Sequence, residues 1–289
     1  MKRLKVVIMG SGRLGFPTGK VLAQWHEVIF CDIQESVLEK IRGMGFVACT
    51  PAYLKKIANI DVIMLCVRTD FSEKKGYDLT QVKKALKNMA PLFKTKHPPV
   101  LINRCTVLPF TLEKEIIKLL KKYSGKNREY VLAANPEFLR EGDAAINDFL
   151  RQSPVVIGLF ENGGDKKARK ILSTLYEPLN APLIELAPNE AEAVKMSVNF
   201  INACKIALSN QLRRLWVKAR VKSPQKVVKT AWLISLAQNS RAYGIEDKGL
   251  IGADGKMCQP KDTRALRFLA RKLKVPQPIL DGVITETVL

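Results

Sequence analysis

Lys5-Val-Val-Ile-Met-Gly10-Ser-Gly12-Arg13-Leu14-Gly15 is the stretch whose reading decides the fold. A short apolar, β-branched run ends in glycine, and glycine then recurs as Gly-x-Gly-x-x-Gly where a helical pattern opens. Each glycine has its own expected task. Gly10 permits a tight turn, Gly12 lets a pyrophosphate approach the backbone, and Gly15 lets helix and strand pack closely. The N-terminus of the helix, beside Arg13 and Leu14, offers N–H groups and positive potential to phosphates. Asp32 ends the second strand, 22 residues after Gly10. A carboxylate there accepts from a ribose 2′-hydroxyl and repels a 2′-phosphate, so NAD is expected rather than NADP.

Working outward, strand patterns at Leu4–Met9, Glu27–Cys31, Asp61–Val67, Val100–Asn103, Tyr130–Ala134, Val155–Leu159 and Pro182–Leu186 alternate with helical ones. The helices are expected at Leu14–Gln24, Gln34–Met44, Leu79–Phe93, Phe110–Lys122 and Asp165–Tyr176. This alternation predicts the α/β class, a doubly wound parallel sheet of Rossmann type with helices on both faces. The texture changes at Pro188. One helical pattern runs from Asn189 to about Ala219 without proline or glycine, and others come after it around Pro224–Gln238 and Pro260–Lys272. The expected organisation is a dinucleotide-binding domain over residues 1–188 and an all-helical domain over residues 189–289.

The composition is that of a globular protein: 289 residues, 47% apolar and 26% charged. No stretch approaches the roughly 18 apolar residues of a membrane helix, and the start runs straight into a strand, so neither a membrane span nor a cleaved leader is expected. Six cysteines form no Cys-x-x-Cys pair and only two histidines are present. No metal site is expected, and a reducing, cytoplasmic compartment is.

Four polar segments carry candidate chemistry. Asn103-Arg-Cys-Thr106-Val-Leu-Pro109 and the nearby Thr69 stand at strand ends, the edge where ligands bind in a doubly wound sheet. Asn135-Pro-Glu137-Phe138-Leu139-Arg140-Glu141-Gly142 places two carboxylates and an arginine directly after another strand. Lys195 and Asn199 share one face of the long helix among apolar neighbours, where a lysine seeks an anionic partner or an oxyanion. In Gly255-Lys-Met-Cys258-Gln-Pro260-Lys261-Asp262, the proline marks a helix start. Cys258 then lies before a helix N-terminus with Lys261 close by, and both lower a thiol pKa and make it a candidate nucleophile. Asp262 falls in the first turn, where a carboxylate suits the helix dipole. Taken singly, a capping threonine, a solvated Arg–Glu pair or a snorkelling lysine explains each segment as well.

Together these motifs resemble the UDP-glucose/GDP-mannose dehydrogenase family over nearly the whole chain. The resemblance rests on Gly10–Gly15, Val67–Thr69, Thr106–Pro109, Asn135–Gly142, Lys195–Asn199 and Cys258–Asp262. It implies two successive oxidations of a sugar C6 alcohol to a carboxylate, with UDP-glucose the first expected substrate and GDP-mannose the next. It implies that Cys258 forms a thiohemiacetal and then a thioester, that Lys195 and Asn199 stabilise oxygen charge, and that Thr106 and Glu137 hold water. Asp262 would assist the thiol. Gly10, Gly12, Arg13, Leu14, Gly15, Asp32, Thr69, Thr106, Glu141 and Lys261 would contact NAD. Glu137, Phe138, Leu139, Arg140, Lys195, Asn199 and Gly255 would line the sugar site. A homodimer through the long helix, residues 189–219, is also implied. The chain departs from the family pattern at Gly252–Met257, where only Gly255 matches a glycine-rich loop. Arg68 and Asp70 stand where prolines are usual. Family members also continue into a third domain, so the expectation is a short form, weak in nucleotide-sugar binding unless a separate chain supplies that domain.

The 48 basic against 27 acidic residues leave a formal charge of +21, more than these ligands can neutralise. Eight basic residues and no acidic one fall between Lys205 and Lys229. A solvated helix face explains them, as does an interface for an acidic partner. Nucleic acid ranks low because no nucleic-acid motif accompanies them. The competing expectation is a non-catalytic NAD-binding protein that docks such a partner through its basic helix.

Overall fold

The computed structural model describes residues 2–73, 76–126, 129–140, 142, 144–160, 165–237 and 266–287. The chain divides into two compact units, Met1–Val198 and Asn199–Leu289.

The first unit is built on eight strands: β1 (Lys5–Met9), β2 (Glu27–Cys31), β3 (Val47–Cys49), β4 (Val62–Leu65), β7 (Val100–Asn103), β8 (Leu132–Ala134), β9 (Val155–Leu159) and β10 (Leu183–Leu186). Their order in the sheet is β10-β9-β8-β7-β4-β1-β2-β3. A separate hairpin joins β5 (Asp70–Ser72) to β6 (Gly76–Asp78). Residues of β1 alternate between two cores. Val7 and Met9 pack on one face of the sheet, with α3 (Pro51–Leu54), α4 (Thr80–Met89) and α5 (Ile117–Ser124). Val6 and Ile8 pack on the other, with α1 (Gly15–Leu22), α2 (Glu35–Gly43), α6 (Ala144–Leu150) and α7 (Asp165–Tyr176). Burial on both faces is why these strands read as continuous apolar runs rather than alternating ones.

Chain order reverses at β1, which has β4 on one side and β2 on the other. A doubly wound sheet opens its ligand crevice at such a point, beyond the carboxyl ends of the strands. The sheet departs from the all-parallel expectation in one place. β9 runs antiparallel to β8, and β10 is parallel to β9. Strand–helix alternation does not specify direction, and the α6 connection returns the chain the other way. The short elements β3, α3, β5, β6 and α6, each seven residues or fewer, were not anticipated from sequence.

α8 (Pro188–Lys218) begins in the first unit and continues into the second. Its start lies close against β9: a Cβ at Gly158 would sit 2.8 Å from the Pro188 Cα and 2.9 Å from the Ala191 Cβ. The second unit adds α9 (Pro224–Ala237), α10 (266–272) and α11 (Pro278–Thr287). Within it Leu215, Ala270 and Leu280 form a small core, and the Ile279 backbone N–H donates to Gln211 Oε1 at 3.1 Å.

Candidate functional site

The glycine loop leaves β1 as its sequence requires. Gly10 has φ +94°, a conformation side-chain-bearing residues avoid, and a Cβ there would lie 2.8 Å from the Cys66 carbonyl oxygen. A Cβ on Gly15 would lie 1.9 Å from the Gly10 carbonyl oxygen, so only glycine fits. Gly12 differs. Among the described residues, nothing lies within 4 Å of where its Cβ would be, so packing does not require glycine there. No side chain caps the N-terminus of α1, which comes directly after Arg13 and Leu14, so that end keeps its donors for an anion.

Asp32 stands beside this loop. Its Oδ2 accepts from the Ser11 backbone N–H at 2.8 Å and its Oδ1 from that of Gln34 at 3.0 Å. The carboxylate is thus held at the end of β2 with lone pairs to spare for ribose hydroxyls. Next to it, a groove of about 350 Å³ is lined by Ile33, Thr50, Pro51, Ala52, Lys55, Asn88 and Pro91. Open glycine backbone, an uncapped helix end, a fixed carboxylate and an adjoining groove together fit NAD, with the adenosine on the β2–β3 side. Ile33 and Thr50 were not anticipated from sequence, where neither belongs to a motif.

The ends of β4, β7 and β8 carry the second group. The Thr69 hydroxyl donates to the Thr106 carbonyl oxygen at 2.7 Å and so ties the loop after β4 to the loop after β7. Glu137, on the loop after β8, is buried, and its Oε2 accepts from the Leu139 backbone N–H at 2.8 Å. Its Oε1 accepts from Lys195 Nζ at 3.0 Å. Lys195, on the first-unit portion of α8, is buried as well, and its ammonium lies 5.5 Å from the centre of the Phe138 ring. A buried ion pair is retained only with good geometry, because desolvation of both charges opposes it. Here Glu137 takes one of the three protons an ammonium can donate.

Beneath this loop lies a network that the sequence did not reveal. Arg104 Nη1 donates to Tyr176 Oη at 2.7 Å and to Asn135 Oδ1, which also accepts from the Tyr176 hydroxyl. Asn135 Nδ2 donates to the Val156 carbonyl oxygen at 2.9 Å. The network anchors the first residue of the loop that carries Glu137. Burial pushes the neighbouring Cys66 thiol up to about 11 and keeps it protonated, although Arg104 pulls the other way. Glu192, one turn before Lys195 on α8, accepts from the backbone N–H groups of Leu112 at 2.9 Å and Thr111 at 3.2 Å. Burial, opposed by those two bonds, raises its carboxyl to about 7.

Arg140 is exposed and pairs with Asp148, its Nη2 lying 2.7 Å from Asp148 Oδ1. That guanidinium holds the Asp148 carboxyl down at about 2. Arg68 pairs with Asp70 at the start of the hairpin. Asn199 lies one helical turn beyond Lys195 and is the first residue of the second unit. Glu141, Gly255, Cys258, Lys261 and Asp262 lie outside the described residues. Of the described cysteines, Cys31, Cys49 and Cys105 are buried, Cys66 is half-buried and Cys204 is exposed.

Known proteins share both the sequence pattern and the fold. The sequence pattern of the UDP-glucose/GDP-mannose dehydrogenase family, NAD binding domain, matches residues 35–180, and that of the family's central domain matches residues 189–286. A GDP-mannose 6-dehydrogenase of Pseudomonas syringae pv. syringae is 29% identical over 97% of this chain and 67% of its own length. A UDP-glucose 6-dehydrogenase of Bacillus subtilis is 28% identical over 97% of this chain and 62% of its own. The chain therefore spans about two thirds of the length of these relatives. The crystal structure of a ternary complex of GDP-mannose dehydrogenase from Pseudomonas aeruginosa superposes with a TM-score of 0.80 at 26% identity, over 98% of this chain and 68% of that one. The UDP-glucose dehydrogenase of Pyrobaculum islandicum shares the fold, with a TM-score of 0.69 at 24% identity over 99% of this chain and 68% of that one.

Proposed function

The chain belongs to the UDP-glucose/GDP-mannose dehydrogenase family, and from this premise we propose that it is a nucleotide-sugar 6-dehydrogenase working through a cysteine thioester. Its first unit carries the family's NAD-binding domain. Gly10, Gly12 and Gly15 would hold the pyrophosphate, Asp32 the adenosine ribose, and Thr69, Thr106, Glu141 and Lys261 further parts of the cofactor. NAD, when bound, accepts hydride from the sugar C6.

The chain's own residues do the rest. Loss of hydride from C6 and of the hydroxyl proton turns the alcohol into an aldehyde. An aldehyde has no ready hydride to give, so the Cys258 sulfur adds to C6 and its oxygen takes up a proton, forming a thiohemiacetal. A second hydride and the oxygen's proton leave, and the product is a thioester. Water positioned by Thr106 and Glu137 attacks the carbonyl, with Glu137 receiving its proton, and the sulfur departs to leave the carboxylate. Lys195 and Asn199 donate to the oxygen while it carries charge, and Asp262 assists the thiol. Phe138, Leu139, Arg140 and Gly255 would face the sugar nucleotide.

The buried Lys195–Glu137 pair, with its 3.0 Å contact, is the observation that carries this reading. It joins an oxyanion donor to a base at the sheet edge where the cofactor loop also lies. Relatives at 29% and 28% identity do not separate GDP-mannose from UDP-glucose, so both belong in the test. The proposal extends to a cytoplasmic homodimer through α8, with the basic stretch Lys205–Lys229 open to an acidic partner.

The test is NADH formation with each nucleotide sugar in turn. Two NADH per sugar are expected with one of them, and Cys258→Ser should stop after the first. Full two-step turnover by Cys258→Ser rejects the thioester, and no NADH with either sugar rejects the activity.

A further inference from the structure

Cys31 and Cys49 are the last residues of β2 and β3, and they are paired across the two strands in parallel register. Both side chains enter the same core layer, so they point to the same face of the sheet. Neighbouring strands lie roughly 4.8 Å apart, inside the Cα separation of about 4.4–6.8 Å that a disulfide bridges. β3 is the outermost strand and only three residues long, and Val47 at its start is exposed, so it can shift by the small amount that bonding requires. Arg42 donates from Nε to the Ala48 carbonyl oxygen at 3.0 Å, which brings its guanidinium, also paired with Glu35 at 2.6 Å, next to Cys49. The thiol interaction between the two residues, aided by Arg42, lowers the Cys49 pKa below its ordinary value. The same interaction, with burial, raises that of Cys31. Cys49, on the edge strand and nearer Arg42, is the more accessible of the two to an oxidant.

Each cysteine leads directly into the cofactor site. Asp32 comes immediately after Cys31, and its backbone N–H donates to the Cys49 carbonyl oxygen at 3.4 Å. Thr50 and Pro51 come immediately after Cys49 and line the groove. The Cys31 carbonyl oxygen accepts from the Gly10 backbone N–H at 2.8 Å. A bond between the two sulfurs would fix the spacing of the ends of β2 and β3 beneath the adenosine half of the site.

We propose that Cys31 and Cys49 form a modification site, a dithiol that small peroxides convert to a disulfide, and that the bridge weakens NAD binding. The proposal rests on the cofactor site described above. In the first step the Cys49 thiolate attacks a peroxide oxygen, the O–O bond breaks, and hydrogen peroxide yields a sulfenic acid and hydroxide. In the second the Cys31 sulfur displaces the sulfenic oxygen, which leaves as water with the Cys31 proton. The hydroxide takes up the proton that Cys49 shed on ionising, so two thiols and one peroxide give a disulfide and two waters. Peroxide is small enough to reach a thiol under a strand edge, where a bulky disulfide reagent is not.

The experiment uses the full chain. NAD is first titrated calorimetrically into reduced protein. Absence of binding there overturns the cofactor reading, and with it the consequence of the bridge, before any oxidant is added. The protein is then treated with equimolar hydrogen peroxide, digested without reductant, and mapped by mass spectrometry. A peptide linking Cys31 to Cys49 is expected, together with at least a tenfold (about 1.4 kcal/mol) weaker NAD affinity that dithiothreitol restores. Cys49→Ala and Cys31→Ala should each bind NAD as the reduced protein does and lose the peroxide response. Either variant suffices if the other fails to fold. Oxidation confined to the exposed Cys204 or another thiol, with no Cys31–Cys49 link, overturns the proposal. So does a link that leaves NAD affinity unchanged.

Discussion

A methyl group at Gly15 would lie 1.9 Å from the Gly10 carbonyl oxygen, whereas one at Gly12 would meet nothing within 4 Å. The two glycines of one motif thus differ: packing requires the first, and packing among the described residues does not require the second. Gly15→Ala is expected to unfold the loop and lower the thermal midpoint. Gly12→Ala should melt as the parent does, yet bind NAD on the order of tenfold or more weakly, as a ligand contact displaced by a methyl would. Melting curves read beside NAD titrations separate these outcomes. At Lys195 the logic reverses, because the partner is a buried charge. Lys195→Met leaves Glu137 without its cation and should destabilise the chain by about 3–5 kcal/mol in urea unfolding. Had the pair been exposed, a loss below about 1 kcal/mol would be expected.

The helices show how neighbours tune one another. Glu192 on α8 seats its carboxylate on the backbone donors of Thr111 and Leu112, at the head of the π-helical turn Leu112–Ile116 that leads into α5. Negative charge is favoured at a helix N-terminus, but here burial outweighs it and raises the carboxyl to about 7. A raised folded-state value means the folded protein holds this proton more tightly than the unfolded chain does. Its contribution to stability is complete below the ordinary carboxylate range and is lost as pH rises through about 7. Glu192→Gln should therefore reduce the difference between urea midpoints measured at pH 5 and pH 8. An unchanged difference would place the titration elsewhere. The segment containing Glu192 was recognisable as helical from its apolar spacing. That its carboxylate caps another helix could not be read from the residues around it, because the partners lie about 80 residues away.

For the chain taken entire, cofactor choice is the most direct measurement. NAD at about 100 times its Kd adds roughly 2.7 kcal/mol to the state that binds it. In a chain of this size each kcal/mol shifts the midpoint by roughly 2–4 °C. A rise of roughly 5–10 °C with NAD is expected. NADP should leave the midpoint unmoved, because in the proposed site the Asp32 carboxylate would repel a 2′-phosphate. Equal shifts with both would remove Asp32 from ribose recognition. The +21 charge works against this selectivity, because NADP carries the additional 2′-phosphate charge, and its effect fades with salt.

The doubly wound sheet and the glycine loop were legible in the residues alone, since they rest on local signals: apolar runs, glycine spacing and a carboxylate at a strand end. The strands Glu27–Cys31, Val100–Asn103 and Val155–Leu159 fall where those signals put them. Direction and contact were not legible. The reversal of β9 against β8, the Arg104–Asn135–Tyr176 network, the Lys195–Glu137 pair and the register of Cys31 with Cys49 all join residues far apart in the chain. Such pairings are selected by which surfaces can be buried together. That balance of desolvation and packing exists only once the chain has closed on itself.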